Sequence, residues 1–137
     1  MTGDLVLRPI GRVESSLATR AEAPRQGDEG APDAWVVFDE SVRAALQDLA
    51  PGDEVILISW FDRSERDVLT VHPRGDLSRP ATGVFSTRSP DRPNPLGLHR
   101  VTILATDGLR LHVDHLEAID GTPIVDVKPV LGDITDR

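Results

Sequence analysis

The chain contains no cysteine, so disulfide bonds, thiolate metal ligands and cysteine nucleophiles are all excluded. It also has no apolar run approaching the roughly 20 residues that a membrane-spanning helix requires. The N-terminal residues lack the apolar stretch of a secretory signal peptide. We therefore expect a soluble, cytoplasmic protein that does not act on a membrane.

Several motifs of common enzyme classes are missing as well. Neither GxxxxGK nor GxGxxG occurs, and Ser86 and Ser89 lie outside any GxSxG elbow, so nucleotide-binding and serine-hydrolase folds are disfavoured. His112 and His115 are three residues apart on a predicted strand and would point to opposite faces. The other two histidines are isolated in sequence. The sequence therefore predicts no metal site.

Positive charge is scarce and unevenly distributed. The net charge is −8, which disfavours non-specific binding to a polyanion. Residues 14–62 hold 11 acidic and 3 basic residues, whereas residues 63–100 hold 7 arginines and 4 acidic residues. The central segment is thus the part of the chain suited to face an anion. The sole lysine is Lys128.

The 137 residues fit one compact domain, residues 1–137, and β-strand patterns dominate them. Apolar periodicity predicts one helix over residues 40–50, which Pro51 and Gly52 end. Residues 14–33 are predicted to form a long loop. We predict strands at residues 5–13, 35–38, 54–61, 68–71, 83–85, 99–105, 110–116 and 124–128. Because strands do not alternate with helices, we expect an all-β fold, a small closed β-barrel with one short helix.

Residues 85–100, FSTRSPDRPNPLGLHR, form the most informative segment. Three prolines within six residues exclude regular structure and stiffen the loop. Such a loop would present Arg88, Arg92 and Asn94 at little ordering cost, and arginine offers a planar fork for carboxylate or phosphate. The alternative is a rigid surface turn whose arginines pair with nearby acidic side chains. Composition does not decide between the two.

Residues 116–131, LEAIDGTPIVDVKPVL, form the second candidate segment. A turn at Asp120 leads into a strand in which Ile124, Asp126 and Lys128 are predicted to share one face, with two valines on the other. The acid and the lysine either line a site as a partly buried pair or form a solvated pair on the outside.

These segments together resemble the TsaA-like (TrmO) family. The resemblance rests on PRQG at residues 24–27, GVFSTRSPDRPNPLGL at 83–98 and DGTPIVDVKP at 120–129, in that order. The opening IGRVESS and the apolar VILISWF are similar to the family's first and central strands. The likeness extends over nearly the whole chain.

The resemblance implies a β-barrel, usually a homodimer, that binds S-adenosyl-L-methionine. It further implies transfer of the methyl group to the exocyclic nitrogen of threonylcarbamoyl-adenosine beside a tRNA anticodon. The alternatives are methylation of a small molecule and a non-catalytic module that binds S-adenosylmethionine or RNA.

The resemblance also implies roles for particular residues. It implies a cofactor site formed by Arg25, Gln26, Gly27, Asp62, Arg63, Arg88, Leu98, Asp114, His115, Leu116 and Glu117. It implies a catalytic acceptor pocket formed by Asn94, Asp120, Asp126 and Lys128. Either Arg92 or Lys128 could hold the carboxylate of the modified adenosine. Two positions depart from the family pattern: Val130 stands where tyrosine is common, and Asp62 where histidine is common.

Overall fold

The computed structural model describes residues 3–19, 23–24 and 30–132. Six antiparallel strands close into a barrel in the order β1-β2-β7-β6-β3-β8. These strands are β1 Gly11–Glu14, β2 Ala34–Phe38, β3 Glu54–Trp60, β6 Leu96–Asp107, β7 Arg110–Val113 and β8 Pro123–Pro129. A separate two-stranded sheet pairs β4 Thr70–Val71 with β5 Thr82–Gly83. This architecture confirms the predicted all-β barrel with one short helix.

The barrel interior is filled by alternate residues of the strands. In β2 the residues alternate between buried and half-buried, and in β6 they alternate between exposed and buried over most of the strand. Because successive side chains on a strand point to opposite faces, this alternation places an apolar set inside. The fully buried core includes Val13, Val36, Leu57, Ile103, Leu111, Leu116 and Ile124.

The helix predicted over residues 40–50 is a shorter 3₁₀ helix, Glu40–Leu46. Asp39 caps it by accepting hydrogen bonds from the hydroxyl and the amide of Ser41. These two bonds, the hydroxyl first, lower the pKa of Asp39. The apolar spacing that predicted the helix does serve packing, because Val42, Leu46 and Leu49 pack against the core.

The predicted first strand, residues 5–13, is wrong over most of its length. Strand β1 begins at Gly11, and Leu5 and Val6 are 88% and 92% exposed. Gly11 pairs with Phe38, the last residue of β2, after which the chain turns into the 3₁₀ helix. Strand β8 continues past its last pair with β1, and the Ile10 amide still donates to the Ile124 carbonyl. Pro9, the residue before it, has no amide hydrogen with which to extend the pairing.

A β-bulge changes the faces of β8. The pairing of β3 with β8 shifts between Ile58, opposite Asp126, and Ser59, opposite Ile124. Ile124 therefore points into the core, whereas Asp126 and Lys128 share the outer face. The prediction that Ile124 lies on the face of Asp126 is wrong, because one extra residue reverses the alternation.

The two-stranded sheet is separate from the barrel sheet, and we call residues 68–86, which contain it, the flap. The strand predicted at residues 83–85 ends at Gly83 and gives way to a 3₁₀ turn, Val84–Ser86. A second turn, Pro73–Gly75, holds Arg74 at a positive φ of 53°. No helix in the described residues is long and apolar enough to cross a membrane.

Gly97 in β6 offers a test of this packing. A Cβ atom there would lie 2.5 Å from both Ser59 Oγ and Phe61 Cζ, which is closer than real contacts allow. Gly97→Ala should lower the free energy of unfolding by about 1–3 kcal/mol, measured by urea denaturation. Gly83→Ala is the control, since nothing lies within 4 Å of its added methyl group. Equal stability of the two variants would contradict the packing described here.

Candidate functional site

An open groove lies between the flap, the proline-rich loop and the adjoining ends of β3 and β6. We call its buried and half-buried lining residues Gly97, His99 and Glu117 the floor, and Phe61, Leu96 and Leu98 line it as well. The charged side chains that line it are Asp62, Arg63, Arg74, Arg79, Arg88, Asp91 and Arg92. The groove therefore gathers most of the basic central segment around one opening.

Arg92 holds the proline-rich loop in shape. Its guanidinium donates to the backbone carbonyls of Val84, Thr87 and Ser89, the last two at 3.1 and 3.3 Å. The Arg92 amide also donates to the carbonyl of Glu65 at 3.0 Å. Three of the five N–H donors of the Arg92 guanidinium are therefore engaged by the backbone, and a role for Arg92 in holding a substrate carboxylate stays a prediction.

Asn94 is bonded to an arginine of a neighbouring segment. Arg66 donates to Asn94 Oδ1 at 2.9 Å and to the Pro93 carbonyl at 2.7 Å. The same guanidinium lies 5.1 Å from the centre of the Trp60 ring, a cation–π contact. Asn94 thus secures the loop to the end of β3 and is not among the groove-lining residues.

Arg88 is presented differently from its neighbours on the loop. It is exposed and lines the groove, and within the described residues no carboxylate or carbonyl oxygen pairs with its guanidinium. Arg63 is partly engaged, since it donates to the Ala18 carbonyl at 3.2 Å. Arg88 is therefore the loop arginine best placed to bind an anion from solution.

A buried polar chain ends at the groove. Ser59 Oγ lies 2.6 Å from His99 Nε2, and His99 Nδ1 lies 2.5 Å from Glu117 Oε1. Ser59 and His99 are 0% and 2% exposed, and the Phe61 ring packs edge-on against the imidazole. Glu117 was among the expected site residues, but Ser59 and His99 were not. The alternation of β6 could have placed His99 inside the barrel, next to Val101.

The remaining residues before the DGTP turn have structural contacts. Asp114 Oδ1 accepts from the Thr102 amide at 2.7 Å, and Leu116 is fully buried in the core. His115 has a positive φ of 43°, and its amide donates to Asp33. Of the four expected residues 114–117, Glu117 alone lines the groove in the described part of the chain.

The expected acceptor residues do not gather at the groove. Asp120 Oδ1 accepts from the Ser15 amide at 3.0 Å and so holds the turn before β8 against the segment after β1. Lys128 Nζ lies 3.5 Å from Asp126 Oδ2, with side chains 64% and 51% exposed. This is the solvated alternative for the pair.

Arg25, Gln26 and Gly27 lie outside the described residues, although Ala23 and Pro24 just before them line the groove. Within the described residues, no three histidine or acidic side chains converge as metal ligands would.

The model of the tRNA-methyltransferase O N-terminal domain matches residues 12–136. This chain belongs to the TrmO N-terminal domain family.

Relatives similar to this chain include an S-adenosyl-L-methionine-binding protein of Archaeoglobus fulgidus. It is 42% identical over 125 residues, which cover 90% of this chain and 88% of the relative. A probable S-adenosyl-L-methionine-binding protein of Methanothermobacter thermautotrophicus is 39% identical over 131 residues, 96% of this chain and 93% of the relative.

Two solved TrmO structures share the fold. A crystal structure of TrmO superposes with a TM-score of 0.75 at 28% identity, covering 98% of this chain and 61% of that chain. TrmO from Pseudomonas aeruginosa gives a TM-score of 0.73 at 27% identity, covering 98% of this chain and 59% of that chain. The chain thus spans about three fifths of the length of these solved TrmO proteins.

The two loop arginines should separate structure from binding. Arg92→Ala should lower the free energy of unfolding by about 1.5–3 kcal/mol, because it leaves three carbonyls without their charged donor. Arg88→Ala should change it by less than about 0.5 kcal/mol, since Arg88 is exposed. Arg92→Lys should not restore stability, because an ammonium group lacks the planar fork. Urea denaturation of the three variants measures this, and a large loss with Arg88→Ala would oppose the assignment.

Proposed function

We propose that this chain is an S-adenosyl-L-methionine-dependent methyltransferase whose cofactor binds in the groove. Two observations support this: the family match over residues 12–136, and the names of relatives that bind S-adenosyl-L-methionine. The groove is lined by a cationic side chain, Arg88, and by an anionic one, Glu117. An amino acid joined to a nucleoside needs such a pair, one for its carboxylate and one for its hydroxyl or ammonium groups.

The chemistry places modest demands on the protein. S-adenosyl-L-methionine supplies an activated methyl group, which passes to an acceptor nitrogen while the carbon–sulfur bond breaks and the nitrogen loses a proton. The task of the chain is to align the nucleophile with the methyl carbon and the leaving sulfur, and such positioning lowers the barrier without a strong acid or base. The Arg92-braced loop and the buried floor supply rigid walls for it.

We propose transfer RNA as the acceptor, with the exocyclic nitrogen of threonylcarbamoyl-adenosine as the methylated atom. The family description is one support. The other is electrostatic: Arg63, Arg74, Arg79 and Arg88 surround the opening of a chain whose net charge is −8. A local positive surface within about 8 Å of a phosphate can offset the repulsion of a distant acidic surface.

The charge around the groove favours a polyanionic macromolecule as the acceptor, because Arg63, Arg74, Arg79 and Arg88 line the same opening. A homodimer would place two such openings on one particle and enlarge the basic surface. Homodimeric assembly and a cytoplasmic location remain predictions.

The deciding experiment for the function is methyl transfer to natural RNA. The chain is incubated with labelled S-adenosyl-L-methionine and total tRNA from a strain that lacks it, and the nucleosides are then analysed. We expect label in N-methylated threonylcarbamoyl-adenosine, without added divalent ions. Label in another nucleoside would show that a different nucleoside is the methyl acceptor. Binding of the cofactor without any methyl transfer would favour a non-catalytic module.

Arg88→Ala should weaken the binding of S-adenosyl-L-methionine by roughly ten- to hundredfold, the effect of losing one charged hydrogen bond. Isothermal titration calorimetry measures the affinity of the wild type and the variant. Arg43→Ala is the matched control, because Arg43 lies on the 3₁₀ helix and pairs there with Glu40. Unchanged affinity in Arg88→Ala would remove Arg88 from the cofactor site.

Removing the positive charge of the flap should weaken tRNA binding and leave the affinity for S-adenosyl-L-methionine unchanged. Arg74→Gln with Arg79→Gln should weaken tRNA binding and reduce the slope of its salt dependence by roughly one for each arginine that binds a phosphate. The control pair Arg43→Gln with Arg100→Gln removes the same charge from residues that do not line the groove. Equal weakening by both pairs would indicate a non-specific charge effect, and no tRNA binding at low salt would favour the small-molecule alternative.

A further inference from the structure

The Ser59-His99-Glu117 chain has a defined direction of hydrogen bonding. An ionised carboxylate only accepts, so His99 must carry a proton on Nδ1 to bond Glu117 Oε1 at 2.5 Å. With a neutral ring, Nε2 is then an acceptor, and the Ser59 hydroxyl donates to it at 2.6 Å. A charged ring would keep both bonds by donating from Nε2 to the Ser59 hydroxyl, and in either case Nδ1 donates to an ionised Glu117.

The distances between the three side chains are those of a Ser-His-acid nucleophilic triad. Here, however, the serine is the buried member and the carboxylate is the member nearest to solvent. Ser59 is 0% exposed, and Gly97 packs so tightly over it that even a methyl group would meet its Oγ at 2.5 Å. A serine nucleophile must face its substrate. Here the hydroxyl lies at the buried end, and the carboxylate reaches the groove.

The second carboxylate oxygen of Glu117 is available. No hydrogen bond within the described residues engages Oε2, whereas Oε1 is held by His99. In that part of the chain no buried side-chain oxygen lacks a partner, so Oε2 must be reached by solvent. The groove is the opening that Glu117 lines, and the side chain is only 13% exposed there.

We propose that His99 is a positioning residue, which fixes Glu117 so that Oε2 accepts a hydrogen bond from a hydroxyl or ammonium group of the bound cofactor. This inference rests on the proposed function. The imidazole is locked by the Ser59 hydroxyl on one side and the Phe61 ring on another. The carboxylate is consequently held before the ligand arrives, and little freedom is lost on binding.

Calorimetry with S-adenosylhomocysteine as the probe tests the inference on the full chain. Glu117→Gln should weaken binding roughly ten- to hundredfold, the effect of losing a charged acceptor. His99→Gln keeps an amide near Ser59 but loses the donor at Nδ1, and should weaken binding roughly three- to tenfold. His99→Asn keeps a donor at the Nδ1 position and should recover most of the affinity.

Two comparisons distinguish positioning from general structural damage. Both His99 variants lose the ring that packs against Phe61, so a merely structural role would reduce affinity equally in both. In the Glu117→Gln background, His99→Gln should add less than about twofold, because its effect passes through Glu117. Equal loss in the Gln and Asn variants, or fully additive losses in the double variant, would overturn the proposal.

Nitrogen-15 NMR of the wild-type protein provides a test that needs no variant to fold. We expect a proton on His99 Nδ1 that is protected from exchange and whose resonance shifts when S-adenosylhomocysteine binds. The Nε2–H tautomer would overturn the proposal.

A second probe identifies which group Glu117 binds. Methylthioadenosine carries the ribose hydroxyls but not the ammonium group, so Glu117→Gln weakens its binding if a hydroxyl is the donor. Loss confined to S-adenosylhomocysteine assigns the ammonium group. If the wild type binds S-adenosylhomocysteine and Glu117→Gln binds it equally well, this inference is overturned and the proposed function stands. No binding by the wild type would overturn both.

Discussion

Strand β3 is hydrogen-bonded along both edges, to β6 on one side and to β8 on the other, and the rest of the barrel depends on this double pairing. It fixes the register that brings Ser59 opposite Gly97 on β6. The inward face is apolar through Val55 and Leu57 and becomes polar at Ser59. The core therefore merges into the groove floor without a break, and the site inherits the rigidity of the barrel.

The loop and the flap meet this floor as two different kinds of structure. The loop is rigid, because Arg92 and Arg66 use their donors to hold its backbone. The flap is a small sheet with exposed apolar side chains, Leu69 at 66% and Phe85 at 85%. The arginines near the opening therefore differ in what they bind. The Arg92 guanidinium donates to backbone carbonyls of the loop, whereas Arg88 lines the groove and can bind a ligand.

Much of the barrel could be predicted from local pattern. The apolar run of β3 and the turn signal of Asp107 and Gly108 after β6 are visible in the sequence, and the structure has these elements close to where they are expected. The bulge opposite Ser59 is not visible, because it depends on where the neighbouring strand shifts its register.

The candidate site, like the fold, could be predicted only in part from the sequence. Motifs pointed to Arg88 and Glu117, which do line the groove. They did not separate these residues from Arg92 and Asn94, since a motif records residue types and not whether a donor is already used. His99 was overlooked because its partners, Ser59 and Glu117, are 40 and 18 residues away in sequence.

The central claim is that the groove between the flap, the proline-rich loop and the barrel is the cofactor site. A crystal structure with S-adenosylhomocysteine tests it most directly. The account predicts the ligand in the groove, with its carboxylate at the Arg88 guanidinium and a hydroxyl or ammonium group at Glu117 Oε2. A ligand bound elsewhere, such as on the outer face beside Asp126 and Lys128, would contradict it.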